Sequence, residues 1–218
     1  MEGAPGETRV LAADDAGAVS EAVRLIAAGE VVAFPTDTVY GVGCDPWSEA
    51  AIERLYAAKE RPLHMAIPVL VASPDDVAQV AEPPDGRAAR LMACFWPGAL
   101  TVVVRRRSKV PAILSAGGPT VAVRMPDHSL ALRLIAAAGG ALAATSANRS
   151  GRPSPETAEE VLADLAGRIA LVIDGGRAPI GVPSSIVDLT SDPPRLLREG
   201  HLSLAALREV LPTLEPGR

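Results

Sequence analysis

The sequence predicts an α/β (α+β) protein with a twisted, open, mixed sheet flanked by helices and a ligand cleft at strand ends. Three observations lead there. Short apolar, β-rich runs recur along the chain, stretches of helical periodicity separate many of them, and several of the runs end in loops rich in Gly, Pro, Ser and Thr. Strands and helices mix without strict alternation, so part of the sheet must be parallel and part antiparallel.

In chain order, Asp14 or Asp15 can cap a helix reaching Ala28, with Gly29 as its stop. Residues 31–34 read as a buried strand, followed by the loop P-T-D-T-V-Y-G-V-G from Pro35 to Gly43. Ser48 can cap a second helix, in which Ile52, Leu55 and Tyr56 share a face. That helix ends near Lys59, because Pro62 disfavours helical backbone at Arg61. Residues 67–71 form the next strand, and 74–81 and 85–95 read as helical. Residues 100–104 and 120–123 are β-rich, with R-R-R-S-K between them as a solvated hairpin or loop. A helix over 128–138 stops at Gly139-Gly140, and a strand over 141–144 follows. The pass closes with a helix over 156–165, strands over 170–173, 186–189 and 195–197, and a helix over 204–211. Residues 1–8 and 213–218 read as loose ends.

Composition narrows the function. The chain has 218 residues, 48% of them hydrophobic, which suits one compact domain with a short C-terminal extension. Aromatics at 3% argue against a base-stacking surface, and a net charge of -5 argues against a polybasic nucleic-acid binder. Local basic clusters remain open. Cys44 and Cys94 are far apart, cannot make a four-ligand zinc site, and read as buried or semi-buried thiols in a reducing compartment. No signal-like N-terminus or membrane-length apolar run is present, so a cytoplasmic protein without a membrane partner is expected. No Walker-type phosphate loop, dinucleotide fingerprint or nucleophile elbow occurs. His64, His128 and His201 lack metal-ligand spacing.

The most informative stretch is T-S-A-N-R-S-G-R-P-S-P, Thr145 to Pro155, a donor-rich loop at a strand end. Three other polar loops accompany it. Thr36 and Thr38 offer hydroxyls in a loop that could equally be an ordinary turn. Lys59 and Arg61 in K-E-R-P could instead serve the helix dipole. Ser184, Ser185 and Arg198 in S-S-I-V-D-L-T and R-L-L-R-E-G could be exposed hairpin ends. Taken jointly, Lys59, Arg61, Arg124 and Arg198 all fall at element ends in an acidic protein. Converging cations and hydroxyls suit a ligand carrying phosphates and a carboxylate, which arginine grips with paired hydrogen bonds.

The blocks V-V-A-F-P-T-D-T-V-Y-G-V-G-C-D, A-K-E-R-P, T-V-A-V-R-M-P, T-S-A-N-R-S-G-R-P-S-P, S-S-I-V-D-L-T and L-L-R-E-G occur in this order. In them the chain resembles the YrdC-like family of L-threonylcarbamoyladenylate synthases, over residues 10–201, with 202–218 as a C-terminal helix and tail. Its length resembles the family's short, single-domain form. The resemblance implies a nucleotidyltransferase that makes threonylcarbamoyl-AMP and pyrophosphate from L-threonine, bicarbonate and ATP. Partner proteins of a threonylcarbamoyl-transferase complex would then modify tRNA beside the anticodon. The same resemblance implies a catalytic tetrad of Lys59, Arg61, Ser146 and Asn148. It places L-threonine on Thr38, Arg124, Ala144 (through backbone) and Ser184, and ATP on Arg61, Met65, Thr120, Ser146, Ser154 and Arg198. Mg2+ is expected with ATP, with no dedicated carboxylate cage and Asp37 and Asp45 as contributors at most. Met65 stands where other members carry a polar residue, so a nucleotide contact there is made by backbone or is lost; Leu70 likewise replaces a polar residue of some members. The competing reading is a non-catalytic relative that binds double-stranded RNA or tRNA through Arg105, Arg106, Arg107, Arg149 and Arg152. A carbamoyl-transfer relative with another acceptor is a third, disfavoured because such modules sit in longer chains.

Overall fold

The computed structural model describes residues 7–217. Its elements run β1 (Arg9–Ala12), α1 (Ala18–Ala27), β2 (Val32–Phe34), β3 (Gly41–Cys44), α2 (Glu49–Lys59) and β4 (Val69–Val71). A 3-10 turn over Pro74–Asp76 leads into α3 (Val77–Val80), α4 (Gly86–Phe95), β5 (Leu100–Arg105), β6 (Thr120–Arg124), α5 (Ser129–Ala137) and β7 (Ala141–Ser146). The chain ends with α6 (Ala158–Leu165), β8 (Leu171–Asp174), β9 (Ser185–Asp188), β10 (Arg195–Arg198), α7 (Leu204–Val210) and β11 (Glu215–Pro216). One open sheet holds all the strands, in the order β1-β8-β2-β3-β7-β4-β6-β5-β9-β10-β11. Parallel and antiparallel pairs alternate irregularly: β4 runs parallel to β6, for instance, and antiparallel to β7. This is the mixed, open sheet that the sequence predicts.

Helix starts follow local chemistry. Ser48 accepts the Ala51 amide at 3.2 Å, and Asp85 accepts the amides of Arg87 and Ala88, both at 2.9 Å. Asp15 does not cap α1 as expected; it accepts the Gly17 amide in a turn, and the helix begins at Ala18. Three strands are additions to the sequence reading. β1 pairs with β8, and β3 lies inside the stretch read as a loop. β3 escapes detection because two of its four residues are glycine. A Cβ at Gly43 would stand 2.7 Å from the Ala143 carbonyl oxygen across the β3–β7 pair, so glycine there permits close strand approach. The third, β11, pairs with β10, so 215–216 are not a loose end, and Leu207, Leu211 and Leu214 are buried in the main core. Residues 202–217 are therefore part of the same body. At the other terminus Thr8 hydrogen-bonds the Ile169 carbonyl at 2.7 Å; residues 1–6 and 218 lie outside the described residues.

Alternation along the central strands sorts side chains onto two faces. Val69, Val71, Val102, Val104, Val121, Val123, Ala141, Ala143 and Val187 join one large core, with residues of α2, α4, α6 and α7. On the opposite face Leu70, Leu142 and Ala144 pack with Ala18, Ala22 and Ile26 of α1 and Leu130, Leu134 and Ile135 of α5. These two helices cover only part of that face. Beyond them Val103, Ala122 and Ile186, one each from β5, β6 and β9, line an open cleft.

Candidate active site

The cleft holds about 390 Å3 and is lined by Thr36, Thr38, Arg61, Met65, Leu70, Thr101, Val103, Ala122, Arg124, Ala144, Ser146, Ser184, Ile186 and Arg198, among others. That volume suits a small-molecule ligand. Its floor is the apolar sheet face, and its polar groups enter from loops and strand ends.

At one end stands Arg124, the last residue of β6. Its Nε donates to the Gly98 carbonyl at 2.9 Å, Nη1 to Thr38 Oγ1 at 2.8 Å, and Nη2 to Asp37 Oδ1 at 2.5 Å. Each terminal nitrogen keeps one further N–H, enough for a two-pronged grip on a carboxylate. Thr38 is itself held by Thr36 Oγ1 at 3.1 Å. Opposite lies Ser184, whose hydroxyl is 2.8 Å from Thr101 Oγ1. Arg198 donates from Nε to the Ser184 carbonyl at 3.0 Å and from Nη2 to its hydroxyl at 3.3 Å. Gly200 completes this corner: a Cβ there would fall 2.2 Å from the Pro183 carbonyl oxygen and 2.6 Å from Ser184.

Toward the other end, Arg61 donates from Nε to the Met65 carbonyl at 3.0 Å and from Nη2 to the Ala66 carbonyl at 2.8 Å, which fixes its planar head. Burial lowers the pKa of Arg61, Arg124 and Arg198, but arginine starts so high that all three stay charged. Ser146 ends β7 on the cleft face, in line with Ala144. The strand runs two residues further than its apolar stretch, because Gly41 and Val42 of β3 pair with Ser146 and Thr145.

The remaining expected residues sit differently. Lys59 is almost wholly buried behind the cleft wall, where its ammonium donates to the carbonyls of Ser146 and Asn148. Burial first, then the nearby Arg61 charge, pulls its pKa down to about 7. Asn148 is also buried; its side-chain nitrogen donates to the carbonyls of Arg149 and Arg152, and its Oδ1 has no partner. Both residues shape the Ser146 loop from behind and do not line the open cleft. Thr120 shares the face of Ala122 and Arg124 at the outer end of β6, beyond the cleft lining. Ser154 is half-buried and also lies outside the lining. Met65 lines the cleft, but its carbonyl receives both the Tyr56 hydroxyl and Arg61 Nε, and its amide donates to Pro62. It offers an apolar wall, with its backbone polar groups already engaged.

Two further residues build the site in roles that no local pattern signals. Thr101 is a lone hydroxyl at an inward-alternating position of an apolar strand, and Asp37 was considered only for magnesium. Asp37 instead pairs with Arg124. Asp45 follows β3 at the end away from Gly41 and accepts the Trp47 amide at 2.9 Å. No group of three His, Cys, Asp or Glu side chains able to hold a metal occurs among the described residues. The cleft's donor set of arginines and hydroxyls does not fit a protein-held divalent cation.

Four of the five arginines of the basic clusters are paired within the fold, and Arg105 is exposed. Arg106 Nε donates to the Gly118 carbonyl at 2.7 Å and Arg107 Nε to Ala81 at 3.1 Å. Arg149 pairs with Glu60, and Arg152 with Asp164. Lys109 sits over the Trp47 ring, 4.9 Å from its centroid. Cys44 is buried, its thiol pushed up to about 12 chiefly by burial, whereas Cys94 is exposed on α4, contrary to expectation. Of the histidines, His128 caps α5 through Nδ1 at 3.4 Å from the Ala131 amide, and His64 and His201 are exposed. No helix among the described residues is long and apolar enough to cross a membrane.

A model of the Sua5/YciO/YrdC family, described as "Telomere recombination", matches residues 24–200. The chain belongs to that family. Among its Sua5/YciO/YrdC relatives, a threonylcarbamoyl-AMP synthase of Pyrococcus abyssi is 43% identical over 190 residues, which are 87% of this chain and 56% of that protein. The chain thus spans little more than half the length of that relative. A threonylcarbamoyl-AMP synthase of Vibrio vulnificus is 34% identical over 184 residues, covering 84% of this chain and 98% of that one. The crystal structure of P. abyssi Sua5 complexed with L-threonine superposes with a TM-score of 0.89 at 41% identity, covering 91% of this chain and 58% of the other.

Proposed function

We propose that this chain is a threonylcarbamoyl-AMP synthase, joining L-threonine, bicarbonate and ATP into threonylcarbamoyl-AMP with release of pyrophosphate. The observation that carries the reading is the cleft itself. Arg124, Thr38 and Ser184 present a carboxylate and hydroxyl site at one end, while Arg61, Ser146 and Arg198 supply phosphate-binding groups along the same floor. The likeness to a Sua5 that binds L-threonine supports the assignment of the first end.

In this reading Arg124 holds the threonine carboxylate, and Ser184, oriented by Thr101 and Arg198, faces the rest of the amino acid. The amine adds to the carbon of bicarbonate and water leaves, giving an N-carboxylate. One oxygen of that carboxylate attacks the α-phosphorus of ATP, and the bond to pyrophosphate breaks. Two anions must approach each other, so fixed positive charge is the main requirement, and no protein nucleophile is needed. Arg61 supplies that charge from a head held rigid by two backbone carbonyls. Lys59 and Asn148 hold the Ser146 turn from behind. Magnesium is proposed to arrive on the triphosphate. A cytoplasmic setting, transfer-complex partners and a tRNA acceptor belong to the same proposal.

The test is incubation with ATP, bicarbonate and L-threonine, with pyrophosphate and the adenylate product measured. Pyrophosphate release should require threonine. Release that ignores threonine would overturn the proposal.

A further inference from the structure

We propose that Asp164 is a positioning residue, which together with Arg152 clasps the 146–152 turn and thereby aims the Asn148 amide. The proposal rests on the synthase reading and concerns the same site. Arg149 and Arg152 are the two cations of this donor-rich loop, yet neither lines the cleft.

Their partners explain their presence. Asp164 Oδ2 accepts the Arg149 backbone amide at 3.0 Å, and Asp164 Oδ1 accepts Arg152 Nη1 at 2.7 Å. The Asp164 side chain is only 9% exposed. It lies in the last turn of α6, which has no basic residue to offset it. A carboxylate there opposes the helix macrodipole, so an isolated Asp would be unfavourable. The loop's amide and guanidinium supply the compensation.

The clasp bears on Asn148 through two carbonyl oxygens. Asn148 Nδ2 donates to Arg149 O and to Arg152 O, both at 2.8 Å. Because both acceptors are carbonyls, the amide cannot turn over without losing both bonds. Its Oδ1 is thereby left buried and unpartnered. The residues whose carbonyls fix the amide are the two residues that Asp164 grips. A second tie, from the Ser150 amide to the Lys59 carbonyl at 2.9 Å, joins the same turn to the end of α2. Loosening the clasp should misplace Asn148 and the neighbouring Ser146 while leaving in place Arg124 at the end of β6, with Thr38 bonded to it, and Ser184 just before β9.

The experiment compares wild type with Asp164→Ala, Asp164→Asn and Arg152→Gln. Steady-state synthesis is measured with threonine varied, and backbone amide exchange is measured at Arg149. Misplacement of a reacting group by a fraction of an ångström can cost tenfold or more. We expect kcat to fall about tenfold in Asp164→Ala with threonine KM within about twofold. Asp164→Asn and Arg152→Gln should lose less, and exchange at Arg149 should accelerate in both Asp164 variants. Arg152 is half exposed, so Arg152→Gln will fold and keeps the test decisive if Asp164→Ala does not. Unchanged kcat with unchanged exchange overturns the proposal. So does a KM that rises in proportion as kcat falls, which marks general loosening. If wild type makes no adenylate, the synthase reading fails, and the exchange arm alone decides whether the clasp holds the loop.

Discussion

Asp37 Oδ1 lies 2.5 Å from Arg124 Nη2, and these side chains are 6% and 8% exposed. The pair sets both the geometry and the charge of the carboxylate end of the cleft. Asp37 neutralises Arg124, so an arriving carboxylate meets a guanidinium already held in plane but with its charge matched. Arg198, close enough to weigh on Arg124, provides the excess positive charge. The second Asp37 oxygen is buried without a hydrogen-bond partner.

Removing Asp37 should therefore destabilise the fold strongly. Asp37→Ala leaves a buried guanidinium unpaired, a change that commonly costs about 3–5 kcal/mol. Urea unfolding of the variant measures it. A loss below about 1 kcal/mol would mean that water reaches Arg124 and that the pair is a surface one in practice.

Arg61→Ala and Ser146→Ala should each cut adenylate formation about a hundredfold or more, with the fold intact. Arg61 is at the surface of the cleft and Ser146 is half-buried, so neither anchors the core. Circular dichroism and the pyrophosphate assay, run side by side, separate the two effects. Full turnover in both variants would refute their roles.

Lys59 makes stability depend on pH. Its folded pKa of about 7 lies below the ordinary 10.5, so between those values the unfolded chain binds a proton that the folded chain lacks. Stability should therefore rise as pH goes from about 7 toward 10.5, the reverse of a salt-bridged lysine. The whole effect is on the order of several kcal/mol at most. Lys59→Met should flatten that rise in urea unfolding measured across the range. A profile identical to wild type would place the lysine's ordinary pKa in the folded state.

Gly200→Ala should impair threonine use more than it impairs folding. The added methyl would meet the Pro183 and Ser184 backbone at 2.2 to 2.6 Å and push Ser184 away from Thr101 and Arg198. We expect threonine KM to rise about tenfold or more, with melting lowered by a few degrees. An unchanged KM would show that the Ser184 segment gives way freely.

How legible the site was depended on whether a role could be read from local chemistry. Ser48 is a helix cap whose partner lies three residues away and was readable, whereas Asp85 was read as helical and is instead the cap that precedes α4. Arg61, Arg124, Ser146, Ser184 and Arg198 were readable as polar groups at the ends of apolar runs, and all line the cleft. β3 was not, since its two glycines carry no β signal and matter only against Phe34 and Ala143. Lys59 looked like a phosphate ligand, but its partners in this structure are carbonyls 87 and 89 residues further along the chain.

What the sequence determined by itself was the alternation of its strands, the periodicity and caps of its helices, and which loops carry cations and hydroxyls. These are properties of neighbouring residues, and short-range sterics and hydrogen bonding settle them. The tertiary structure alone decided that α1 and α5 leave part of one sheet face open, that Asp37 pairs with Arg124, and that Arg149 and Arg152 turn toward Glu60 and Asp164. A charge chooses its partner by distance and burial after the chain has closed, and no local pattern encodes either.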